Sequence, residues 1–135
     1  MKNVFISYAH SDLAVARQVA AQLEDAGNKV WFADDAVFPG ENLMLEVGKA
    51  LEKSDAMVVL ISPESMKSDW VRQDIKFALS APQYRGRLIP VIVKPTADIP
   101  WVLKKFPNVR IGKRIATASQ EIAGYVKNGF ELVPS

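Results

Sequence analysis

Few residues in this chain are equipped for chemistry. In 135 residues there is no cysteine, and His10 is the one histidine. Disulfide and thiolate chemistry are therefore excluded, and a histidine-based metal site has too few ligands. With His10 alone no Ser-His-Asp arrangement can be assembled, and no G-x-S-x-G elbow occurs. Neither G-x-G-x-x-G nor G-x-x-x-x-G-K-S/T is present, so the glycine loops that cradle phosphates are missing. What remains are polar and aromatic side chains gathered in three stretches, residues 8–12, 33–40 and 62–70. Trp70 and Asp74 stand four apart, so on a helix they share one face, a ring beside a carboxylate. A mid-helix aspartate is ordinarily solvated and a tryptophan ordinarily packs, and those are the bland readings of the pair.

The elements that must position these residues follow from hydrophobic spacing. Residues 4–8, 29–32, 56–61 and 88–93 are short apolar runs and predict strands, with a weak fifth at 109–111. The run 56–61 is apolar on both faces, which belongs in the middle of a parallel sheet. Pro90 removes one donor and predicts an edge or end position for its strand. Between the runs, apolar residues recur at helical spacing. Leu13, Ala16, Ala20 and Leu23 form one set, with Ser11 and Asp12 as N-cap and first-turn acid and Gly27 as the stop. Leu43, Val47, Ala50 and Leu51 form the next; Trp70, Val71, Ile75, Ala78 and Leu79 follow a Ser68 cap, and Ile122 and Val126 mark the last helix. Strands alternating with helices imply βαβ crossovers. The fold class is thus α/β and flavodoxin-like, a parallel sheet of four to five strands with helices on both faces. In such sheets ligands sit at the carboxyl ends of the strands, where the three polar stretches fall. A phosphoacceptor domain needs an acid at the end of its central strand, and here Ser62-Pro63 stands there instead.

Composition narrows the class further. Hydrophobic residues make up 49% and charged residues 24%, which suits one globular domain over residues 1–135. A net charge of +2 gives no argument for nucleic acid. No apolar run approaches the roughly 18 residues of a membrane span, and the amino terminus lacks a secretory signal, so no membrane association and a cytoplasmic location are expected.

The motifs point to one family. Phe5-Ile6-Ser7-Tyr8-Ala9-His10-Ser11-Asp12 resembles the opening box of Toll/interleukin-1 receptor (TIR) domains, bacterial type. Trp31-Phe32, Asp35 and Pro39-Gly40 look like the second box and its loop. Ser54-Asp55 with the run to Leu60-Ile61-Ser62 resembles the third strand, Ser68-Asp69-Trp70 the S-x-W element, and Phe106-Pro107 an echo of the last box. The ordered set covers essentially the whole chain. The resemblance implies a module that self-associates and signals in immunity or cell death. In many members it also implies cleavage of NAD+ at the nicotinamide–ribose bond, with NAD+ as substrate and no cofactor or metal. Enzymes of the family carry a glutamate four residues after the tryptophan. Here Asp74 occupies that position, keeping the charge on a side chain one methylene shorter.

By that resemblance Asp74 is the catalytic group, and Tyr8, His10, Asp35 and Trp70 are substrate-binding. His10 and the amides near Ser11 are candidates for the dinucleotide's phosphates. Asp34, Val37, Phe38, Pro39 and Gly40 form the interaction loop. The expected partners are NAD+ and other TIR domains, with a homo-oligomer on activation. The alternative is a non-catalytic TIR–TIR interaction module. A nucleotide-modifying module outside the family would need the glycine loop that is absent.

Overall fold

Residues 2–33, 42–112 and 114–130 are described by the computed structural model. Five strands, β1 (Asn3–Ser7), β2 (Lys29–Phe32), β3 (Ala56–Ile61), β4 (Leu88–Ile92) and β5 (Val109–Arg110), form a wholly parallel sheet. Their order is β2-β1-β3-β4-β5, the flavodoxin-like one. The helices are α1 (Leu13–Asp25), α2 (Asn42–Lys53), α3 (Pro63–Met66), α4 (Asp69–Ser80), α5 (Trp101–Lys104) and α6 (Ile115–Asn128). Short 3-10 turns precede α1, at His10–Asp12, and follow α4, at Pro82–Tyr84.

Strand alternation sorts the core into two layers. Val4, Ile6, Val58 and Leu60 face Val19 and Leu23 of α1 and Ile122 and Val126 of α6. Phe5, Met57, Val59 and Ile61 face the other way, toward Val71, Ile75 and Ala78 of α4, Val47 of α2 and Leu103 of α5. Every residue of β3 is buried, as its unbroken apolar run predicts. Burying a side chain such as Leu23 or Ile122 contributes on the order of 2 kcal/mol.

Local signals mostly hold. Gly27, just past the α1 C-cap at Ala26, adopts φ +95°, the left-handed stop. Ser68 caps α4, its side chain accepting from the Val71 amide. Three expectations need correction. Tyr8 lies just beyond β1 rather than inside it. Ser11 lies inside the 3-10 turn rather than capping α1; Asp12 is the N-cap by backbone but makes no side-chain cap bond, its carboxylate turning inward to the Ser62 hydroxyl at 2.5 Å. Pro90 lies not on an edge strand but in β4, between β3 and β5. The Ile92 carbonyl accepts from the Ile111 amide, so alternate residues of β4, Pro90 included, turn toward β5. Pairing with β5 begins only at Val91↔Val109, so proline stands where no ladder donor is called for.

Both described chain ends meet the amino edge of the sheet. The Lys2 carbonyl accepts from the Lys29 amide at 2.9 Å. The Phe130 amide donates to the Gly86 carbonyl, also at 2.9 Å. Gly86 has φ +73°, and a Cβ there would stand 2.6 Å from the Phe130 carbonyl oxygen, so this approach requires glycine.

Candidate functional site

Chain order reverses between β1 and β3, since β1 leads to β2 on one side and the chain returns to β3 on the other. The crevice beyond the carboxyl ends at such a switch point is the natural ligand site of an open α/β sheet. A cleft of about 330 Å³ opens there, small for a ligand site. Its floor is the end of β1 running through Ser7 and Tyr8 to His10, and its walls are Ala33 after β2, Val47 of α2, and Ser68, Trp70 and Asp74.

α4 brings two of these together. Val71, Asp74, Ile75 and Ala78 are its buried positions, the i, i+3, i+4, i+7 stripe that packs on the sheet. Asp74 thus occupies a core position rather than the solvated surface that a mid-helix aspartate ordinarily takes, and is 7% exposed. Trp70, one turn earlier, is 47% exposed and lines the same cleft. The ring beside the carboxylate expected from their spacing is therefore present.

The Asp74 carboxylate accepts from the Ser7 hydroxyl at 2.8 Å. Burial pushes the Asp74 carboxyl up to about 6, because desolvation disfavours the charge, while the Ser7 donation pulls it back toward the ionised form. A carboxylate poised near neutrality in a cleft is a feature of functional sites. Tyr8 is half-buried; its hydroxyl donates to the Ala33 carbonyl and its ring meets Phe32 edge-on at 6.1 Å. That bond ties the floor of the cleft to the residue that follows β2. His10 is exposed on the rim.

The structure therefore gathers Tyr8, His10, Trp70 and Asp74 at one cleft. Asp34, Asp35, Val37, Phe38, Pro39 and Gly40 lie outside the described residues. Ser7 is the site residue that sequence reading passed over. Its signal is slight: it is the one polar residue between Val4 and the end of β1, at the switch point, and only 2% exposed. Among the described residues no three metal-ligating side chains come together. A second hollow of about 390 Å³, between the end of α4 and Phe106 and Phe130, has Arg85 as its charged lining residue and no acid. No helix among the described residues is long and apolar enough to cross a membrane.

Comparison with known proteins agrees with this architecture. The family model described as "TIR domain" matches residues 4–123. The NAD(+) hydrolase PdTIR of Paracoccus denitrificans is 30% identical over 99 residues, 71% of this chain and 33% of that protein. The NAD(+) hydrolase TcpA of a Theionarchaea archaeon is 26% identical over 129 residues, 93% of this chain and 38% of that one. The chain spans about a third of the length of these curated relatives. Among solved structures, the TIR domain of the Toll-related receptor TRR-2 from Hydra magnipapillata superposes with a TM-score of 0.74 at 22% identity, over 95% of this chain and all of that one.

Proposed function

The chain belongs to the TIR domain family, and from that premise we propose that it cleaves NAD+ at the nicotinamide–ribose bond, with Asp74 as the catalytic carboxylate. The observation that carries this reading is the placement of a buried carboxylate, its pKa raised to about 6, beside the exposed Trp70 in the switch-point cleft. The NAD(+) hydrolases among its relatives support it.

The chemistry asks little of the protein. Nicotinamide is a pyridinium in the substrate, so breaking the C1′–N bond sends the electron pair to nitrogen and releases a neutral leaving group. No general acid is needed. The ribose gains oxocarbenium character, which a neighbouring carboxylate stabilises. Water then adds at C1′, and its proton passes to the carboxylate or to solvent, leaving ADP-ribose. At pH 7.5 Asp74 is predominantly ionised, as stabilisation requires. Trp70 offers a ring on which the nicotinamide stacks, and Tyr8 bounds the ribose side.

Charge supports assembly as part of this function. The described cleft residues include no lysine or arginine, and His10 is the one group able to become cationic. The adjoining sequence, residues 34–41, contributes Asp34, Asp35 and Glu41 and no basic residue. The diphosphate of NAD+ needs positive charge beyond what His10 and the amides near Ser11 offer, and a neighbouring copy is the natural source. The interaction loop, Asp34 to Gly40, is the segment we assign to that contact. A pure interaction module is not favoured, because it gives no reason to keep an acid in the α4 packing stripe at a cost in stability.

Incubation of concentrated protein with NAD+, with separation of products, tests the reading. Nicotinamide release should rise more steeply than linearly with protein concentration. Asp74→Ala should lower it at least ~100-fold with the fold intact. Asp74→Glu should preserve or raise it by restoring the reach of the longer acid. If wild-type and Asp74→Glu proteins are both inert at high concentration with a crowding agent, the enzymatic reading fails.

A further inference from the structure

The two oxygens of Asp74 are in different situations. Oδ2 accepts from the Ser7 hydroxyl at 2.8 Å. No other donor to this carboxylate is described, and Asp74 lines the cleft. Ser7 itself is 2% exposed at the last position of β1, where it pairs with Val59 of β3. Its backbone is held by that ladder, and its buried hydroxyl is a donor on which a short acid from α4 can rest. The bond spans 67 residues of sequence and links the central sheet to the helix that carries Trp70.

We propose that Ser7 is the positioning residue of this site: its hydroxyl holds Oδ2 of Asp74 against the end of β1, so that Oδ1 alone is presented to the reacting ribose. The role rests on the NAD+-cleaving reading above and adds to it the group that orients the acid. It also explains how an aspartate, one methylene shorter than the family's glutamate, serves there. The shorter side chain is immobilised on the sheet rather than reaching freely, and a carboxylate misplaced by about 1 Å would lose on the order of 100-fold in rate. The other titratable groups near Asp74 are His10, lining the same cleft, and Tyr84, close enough to feel its charge. Neither is bonded to Ser7 among the described contacts.

Ser7→Ala is the test, read in two ways. The first needs no turnover: the side-chain carboxyl carbon of Asp74 is followed by NMR as pH is raised. Loss of the donor should move its titration midpoint upward by roughly 0.5–1 pH unit. The second follows NAD+ cleavage. At pH 8, where both carboxylates are ionised, kcat should fall about tenfold or more with KM within about twofold, and the acidic limb of the profile should move upward with the midpoint. Ser7→Thr, which keeps the hydroxyl, should restore most of kcat. If Ser7→Ala does not fold, Ser7→Cys retains the size with a weak donor and should give the same shift. An unmoved Asp74 midpoint, or an unchanged kcat at pH 8, overturns the proposal. The NMR arm does not depend on catalysis, so failure of the NAD+ reading and failure of this one are distinguishable.

Discussion

Two buried aspartates take a serine hydroxyl at the same edge of the sheet, and their surroundings differ. Asp12, 2% exposed in the turn before α1, accepts from Ser62 at 2.5 Å. Ser62 also takes the Ser65 amide at 3.1 Å and gives its own amide to the Ser65 hydroxyl at 2.9 Å, a reciprocal cap on α3. All three residues are shut away, and none lines the cleft. Asp74 accepts from Ser7 at 2.8 Å and lines an open cleft beside a half-exposed tryptophan. The same pair of side chains is thus a stitch in one place and a site in the other. What separates them is what lies beside the acid: Asp12 lines no cleft, whereas Asp74 lines one next to Trp70, where a ligand can reach it.

The comparison can be broken by mutation, most forcefully at the stitch. Asp12→Ala should cost about 2–3 kcal/mol, because it strands the Ser62 hydroxyl and opens a gap between β3 and the start of α1. Calorimetry should show Tm lowered by about 6–10 °C, with turnover per folded molecule unchanged. A Tm within a degree of wild type would dissolve the distinction. At the site the sign reverses. The folded Asp74 pKa of about 6 lies above its ordinary 3.8. The stability associated with its protonation is therefore fully present below about pH 4 and lost as pH rises through 6. Asp74→Asn escapes that loss and can still accept from Ser7, so it should stabilise the protein by about 2 kcal/mol at pH 7.5, with the gain vanishing near pH 4. An equal change in Tm at both pH values would show that the charge is not the cause. The smallest effect is expected at Ser68→Ala, which removes the α4 cap. It should cost up to about 1 kcal/mol in thermal unfolding, and no loss at all would mean that the helix bearing Trp70 and Asp74 is held by packing alone.

Much of this was legible beforehand, and the exceptions have physical reasons. β3 could be read because its apolar run is unbroken, and α4 because its apolar residues keep helical spacing after a Ser68 cap. Tyr8, His10, Trp70 and Asp74 could be placed at one edge because parallel sheets bring strand ends together. α3 and α5 escaped because each is a single turn, too short for periodicity to register. Asp12 does stand at the start of a helix, but its inward turn was not legible, because its partner, Ser62, lies 50 residues away and local sequence does not reveal that a carboxylate will turn inward. Ser7 was overlooked for the same reason: a serine at a strand end is common, and only the fold supplies its acid. Asp74 itself left a mark that spacing could have caught. It interrupts the run Val71, Ile75, Ala78 at a core position, which is where a polar residue calls for explanation.

The docking of Phe130 on Gly86 has a practical consequence. Because Lys2 and Phe130 are both held at the amino edge of the sheet, while the cleft opens at the carboxyl edge, the two described ends leave the domain on the side away from Asp74. A fluorescent label carried on Lys2 or Phe130 therefore sits on the side away from the cleft. Capture on a sensor chip through a label at Lys2 or Phe130 would present the cleft outward, and labels at both positions would lie on one side of the domain without shading its mouth.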